Sequence, residues 1–286
     1  MRGGLTTLWR IPAAGGVPRR IEGIGTSAFE PSVALKGHRL AFTSGFVNQN
    51  LWSLNLADRS HATGPPQAFF TSKGSNGLAH FSADGKKIAF ESTRSGYNEI
   101  WTANSDGSNP VQLTFLNGDS GTPRWSYDGR YVAFDYRPKG RSEVYIADFS
   151  GAQPKLFPTN PGADDLLQSW LRDGKWLYFA SIEANESPQL WKISAQGGEE
   201  SLVMKQTGLE CWCQLAFAPQ GIYFIGNITS GNRTLFFYDF KSRERSSIAP
   251  LGRYALNPAL APDGKFLIYS QADLVDQTIM IVNNFH

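Results

Sequence analysis

The sequence predicts an all-β fold, a ring of four-stranded sheets set radially about an axis, on three observations. A tight glycine turn recurs about every forty-five residues, an apolar run follows each turn, and no ten-residue segment sustains helical periodicity. The turns are LKGHRLAF (35–42), ADGKKIAF (83–90), YDGRYVAF (127–134), RDGKWLYF (172–179), PQGIYFIG (219–226) and PDGKFLIY (262–269), with glycines Gly37, Gly85, Gly129, Gly174, Gly221 and Gly264. A unit of this length holding several strands has the spacing of a β-propeller blade.

Each unit resolves into four strands. Strand A is short and ends in an aromatic or Leu before the turn, as in AHFSADG and PRWSYDG. Asp-Gly at the turn reaches positive φ at little cost, so A and B join as a tight hairpin. Strand B (KIAFES, YVAFDY, WLYFAS) is a continuous apolar run, as expected where neighbouring sheets cover both faces. Strand C alternates and carries an aromatic (NLWSLNL, EIWTANS, EVYIADF, QLWKISA), and a polar turn leads to a short strand D such as VQLTF.

The ends of the chain do not fit whole units. TTLWRIP and VPRRIEG read as strands C and D with no A or B before them, and residues 257–285 read as A, B and C with no D. The expected arrangement is a single propeller over residues 1–286. It has a partial blade at 5–23, blades near 30–73, 78–118, 121–160, 165–208 and 211–252, and a closing blade at 257–286. Residues 18–23 would pair beside 278–285, leaving the strand at 6–11 competing with 278–282 for one slot. This gives six four-stranded blades; the alternative is a seven-bladed ring truncated at its N-terminus. An open blade edge would leave a monomer or a weak dimer.

Composition sets the function classes. With 41% hydrophobic and 13% aromatic residues the chain can build a large core, and 29 Gly with 16 Pro favour many turns. A net charge of +2 without a basic run argues against nucleic acid as partner. No segment approaches eighteen apolar residues and no signal-peptide core opens the chain, so no membrane insertion or export address is expected. The compartment stays open: outside the cytoplasm for a piece of a membrane-tethered protein, cytoplasmic otherwise.

The run FSADG, KKIAFES, TRSGYNEIWTANSDGSNPVQLTF resembles the TolB-type, WD-repeat-like propeller family, and the likeness extends over the whole chain, weakest at 211–252. Similar propellers form the C-terminal parts of bacterial one-component regulators and Ser/Thr kinases, and gate prolyl-peptidase hydrolases. The resemblance implies a non-catalytic protein- or peptide-binding or sensing module of a larger bacterial regulatory protein. The other reading is an accessory propeller of a hydrolase or a degenerate glycan-lyase-like enzyme.

Candidate sites lie at the channel and on the face carrying the D–A loops and the B–C loops, the latter expected at 45–49, 95–99, 138–142, 184–187, 229–233 and 272–276. Asp119, Asp164, Asp165 and Glu210 fall in D–A loops, where they would gather at one channel mouth and draw a basic peptide or a cation, or simply cap local N–H groups. His80, Arg124, Gln168 and Gln214 are expected to face the channel, with Arg124 as a fork-shaped donor to a ligand carboxylate or as one polar group in a wet lining. Phe46, Tyr97 and Tyr254 in loops would anchor a protein partner, or fold over blade edges. Cys211 and Cys213 share one side of a strand and the four histidines are scattered, so no metal site and no cofactor are expected. No GxSxG elbow occurs, and no catalytic residue is assigned.

Overall fold

The computed structural model describes residues 7–24, 28–34, 36–72, 74–138, 142–150, 152–157, 164–170, 175–182, 189–204, 215–227 and 232–285. All regular structure among them is β-strand. The chain divides into two compact units, residues 1–48 with 272–286, and residues 49–271.

The first unit holds β1 (Trp9–Arg10), β2 (Arg19–Arg20), β3 (Ala28–Val33) and the first part of β4 (Arg39–Asp58). Its core is Leu8, Ile24, Ala28, Leu40 and Phe42, with Val282 and Phe285 packed against it. The contest between the two candidate C strands resolves here. The C-terminal segment takes the place beside β4, where the Phe285 N–H donates to the His38 carbonyl at 2.7 Å. β1 pairs with β2 instead, so residues 19–20 are not strand-paired with 278–285 as expected. Val282 and Phe285 bury apolar surface in that slot, whereas Trp9 stays 60% exposed.

In the second unit β5 (His61–Phe70) is followed by four four-stranded sheets in chain order. They are β6 (Asn76–Phe81), β7 (Lys87–Ser92), β8 (Glu99–Asn104) and β9 (Val111–Gln112); β10 (Ser120–Trp125), β11 (Tyr131–Tyr136), β12 (Glu143–Asp148) and β13 (Lys155–Leu156); β14 (Asp164–Trp170), β15 (Trp176–Ile182), β16 (Gln189–Ser194) and β17 (Ser201–Met204); β18 (Ala216–Ala218), β19 (Gly221–Asn227), β20 (Arg233–Asp239) and β21 (Arg245–Pro250). Each is an antiparallel A-B-C-D sheet, as the repeat requires.

A fifth sheet of this unit draws on both ends of its chain. β22 (Leu256–Leu260) and the first residues of β23 (Phe266–Asn283) supply A and B, while residues 49–58 of β4 and then β5 supply C and D. The Leu56 N–H donates to the Lys265 carbonyl at 2.8 Å across this seam. The expected B–C loops at 45–49 and 272–276 are therefore not loops: both segments are interior to strands β4 and β23. The chemistry explains the difference. Phe46, Val47, Leu274 and Val275 favour extended backbone, and neither segment carries Pro or an Asp-Gly pair to force reversal. The true B–C turn at 93–96 closes on Gly96 at φ 96°.

Neighbouring sheets of the second unit share apolar cores. Ile88 and Phe90 pack with Leu51, Ala259 and Ile268; Ile100, Trp125, Val132 and Phe134 fill the next interval; Val144, Leu177, Phe179 and Ile193 the next; Leu54, Tyr223, Phe237 and Leu267 another. Phe90, Phe134 and Phe179 are fully buried on their B strands, each gaining about 2–3 kcal/mol by leaving water. This is why strand B reads as an unbroken apolar run.

The A–B turn follows one design. The Gly85 N–H donates to the Ser82 carbonyl, the Ser82 hydroxyl donates to Asp84 Oδ1, and the Lys86 N–H donates to the same oxygen. Ser126, Asp128, Gly129 and Arg130 repeat it. Gly37, Gly85, Gly129 and Gly264 all have φ between 69° and 92°. Gly221 does not belong with them. It is the first residue of β19, paired with Ala218, so the reversal there is the two-residue Pro219–Gln220. A Cβ on Gly221 would meet the Tyr238 carbonyl oxygen at 2.1 Å. Gly174 lies outside the described residues.

Candidate functional site

Strand A carries a recurring bulge that decides which side chains face the axis. Leu78, Thr122 and Asn257 sit at φ 52°, 48° and 56°, and the register against strand B shifts there in each sheet. An extra residue of this kind re-aims those that follow. After the bulge, His80 lies opposite Ala89, Arg124 opposite Ala133 and Ser169 opposite Tyr178. Counting back from the aromatic at the end of the strand thus selects Ser169, and not Gln168, as the third member.

The inner strands of all five sheets of the second unit enclose one cavity of about 620 Å³, the axial channel of that unit. Its wall includes His80, Arg124, Trp125, Trp170 and Phe217, and it extends to Ser82, Tyr127, Pro219 and Pro262 beside the A–B turns. The cavity therefore lies toward the turn end of the inner strands, away from the D–A loops that the sequence favours.

His80 is half-buried, and its Nδ1 accepts the Trp125 N–H at 3.3 Å, which leaves the neutral ring's proton on Nε2. Burial, with the Arg124 charge second, pushes its pKa down to about 3. Arg124 is 2% exposed and donates through Nη1 to the Pro123 carbonyl at 2.8 Å. Burial lowers its pKa to about 9 against the opposing pull of Asp135, so it stays charged at neutral pH. The Trp125 indole N–H is buried with no hydrogen-bond partner among the described residues.

Asp135 and Arg137, which sequence reasoning missed, tie this wall to the opposite face. Asp135 is fully buried and accepts the Ser142 hydroxyl at 3.2 Å. Arg137 Nη1 lies 4.0 Å from Asp135 Oδ2 and donates to Asp119 Oδ2 at 3.2 Å. The signal was present: FDYR interrupts an apolar strand with an acid and a base two residues apart. Asp119 also accepts the Asn98 amide at 3.1 Å, so its charge is engaged locally.

Asp164 and Asp165 are the first two residues of strand β14, with backbones paired to Ile182 and Ser181. Glu210, Cys211, Cys213 and Gln214 lie outside the described residues. Phe46 is in β4 within the first unit. Tyr97 is an exposed turn residue beside Asn98, which places it near Asp119 on the loop face. Tyr254 is exposed in the turn before β22, with the Arg253 guanidinium 5.5 Å over its ring. Among the described residues no three His, Cys, Asp or Glu side chains are grouped to hold a metal.

A family model for the TolB beta propeller domain matches residues 112–284. The chain belongs to the TolB β-propeller family. This TolB-type chain is similar to the crystal structure of TolB from Acinetobacter baumannii, with a TM-score of 0.51 and 17% identity over 96% of this chain and 62% of that one. It therefore spans less than two thirds of that protein's length. It is similar to putative TolB from Agrobacterium tumefaciens (TM-score 0.52, 13% identity, 79% and 99% of the chains) and to a chain of a nidogen/laminin complex (0.50, 12%, 78% and 98%). At these identities the likeness is one of fold. No curated protein sequence matches the chain.

Proposed function

We propose that this TolB-type propeller is a non-catalytic binding module, part of a larger bacterial regulatory protein, whose axial cavity takes an extended peptide segment of a protein partner. The cavity carries the reading: about 620 Å³, ringed by the five inner strands, with Trp125, Trp170 and Phe217 as apolar wall and His80 as a neutral donor. Cavities of this size and lining suit an apolar side chain held by a few polar contacts. Arg124 serves as the fixed positive charge behind the wall, favouring a segment with a carboxylate. Tyr97 and Tyr254 are proposed as anchors for a larger surface of a protein partner on the loop face.

Peptides displayed on phage and panned against the purified chain test the proposal. Enriched sequences should bind the wild type and lose at least about tenfold in affinity on Phe217→Ala or His80→Ala. Peptides that bind both variants as tightly as the wild type would contradict it.

A further inference from the structure

In the second unit every strand C is covered on its outer edge by a strand D: β8 by β9, β12 by β13, β16 by β17, β20 by β21, and residues 49–58 of β4 by β5. The first unit holds the A, B and C of one more sheet, in β3, residues 39–48 of β4 and residues 272–283 of β23. Among the described residues nothing pairs with the outer edge of that last strand over residues 277–283. Within the segment expected as its D strand, residues 18–23, Arg19 and Arg20 are paired with β1.

Natural sheets blunt a free edge with charge, Pro or a bulge. Residues 277–283, Gln-Thr-Ile-Met-Ile-Val-Asn, have no charged residue, no Pro and no Gly. Ile279, Met280 and Ile281 are 76%, 45% and 60% exposed, a contiguous apolar stretch on an edge strand. Such a slot is matched by an extended, uncharged strand.

We propose that a second copy of this chain fills it, β23 against β23 across a twofold axis. Antiparallel pairing centred on Met280 sets Ile279 opposite Ile281, Thr278 opposite Val282 and Gln277 opposite Asn283. The strand thus complements itself without opposing like charges.

Sedimentation velocity of the full chain over a wide concentration range tests this. The wild type should show a reversible monomer–dimer equilibrium. Ile279→Lys and Ile281→Lys, each placing a charge on an exposed position, should weaken it by at least about tenfold with the melting temperature unchanged. A wild type that is monomeric at every concentration overturns the proposal. So does a dimer indifferent to lysine at both positions, which would place its interface elsewhere. Peptide capture by Phe217 and His80 is read in a separate assay, so either idea can fail alone.

Discussion

The backbone N–H of Leu78 donates to Ser270 Oγ at 3.0 Å, although 192 residues of chain separate the two. Ser270 is fully buried on the B strand of the shared sheet, and Leu78 is the bulge residue of the sheet beside it. On the other side of the shared sheet, the Tyr223 hydroxyl donates to the Arg59 carbonyl at 3.1 Å. Two long-range bonds thus hold the shared sheet of the second unit to its neighbours. Ser270→Ala strands a buried N–H and should cost about 1–3 kcal/mol, with Tyr223→Phe costing about 1 kcal/mol. Urea unfolding monitored by tryptophan fluorescence reads both.

Gly85 and Gly221 occupy different places at their A–B reversals, one in the turn and one in the strand. Gly85→Ala forces a Cβ into a φ of 71° with its nearest neighbour at 3.6 Å, so it should cost about 1–2 kcal/mol. Gly221→Ala has no positive φ to pay for but meets the Tyr238 carbonyl oxygen at 2.1 Å and the Phe237 ring at 2.5 Å. It should cost well over the Gly85 value, roughly 3 kcal/mol or more. If Gly221 were a turn glycine, as its place in the repeat suggests, the two costs would be alike.

The repeat period, the A-B-C-D order and the apolar B strands were legible because each is a local pattern of about forty-five residues. The seam was not. The extended preference of Phe46 and Val47 permits a straight run through residues 45–49, but it does not name the partner that the following strand finds, here residues 266–271. The site was legible in part. His80 and Arg124 were picked out by their equivalent places on the inner strands, and both line the cavity, whereas the same count gave Gln168 where Ser169 stands. Asp135 was hidden because a carboxylate in an apolar strand reads as an interruption until its pull on the Arg124 charge is seen.

Asp135 is the buried counter-charge of that wall. Asp135→Ala leaves the buried Arg124 without it and should destabilise by about 3–5 kcal/mol. Replacing both, as Asp135→Leu with Arg124→Met, should recover most of the loss. Thermal and urea denaturation of the single and double variants measure the difference.

The His80 shift predicts a pH dependence. Its folded pKa is about 3 against an ordinary 6.5, so between those values the unfolded chain binds a proton that the folded chain refuses. Stability from this residue is complete above pH 6.5 and is lost as pH falls toward 3, at no more than about 1.4 kcal/mol per pH unit. Urea midpoints taken between those pH values should fall for the wild type and fall less steeply for His80→Gln.

The second unit is closed by a sheet shared between residues 49–70 and 256–271. Nuclear Overhauser contacts across β4 in perdeuterated protein test this most directly. Closure predicts cross-peaks between the amides of residues 55–57 and 265–267. Cross-peaks joining residues 50–56 to 39–44, the mark of a hairpin turning at 45–49, would contradict it.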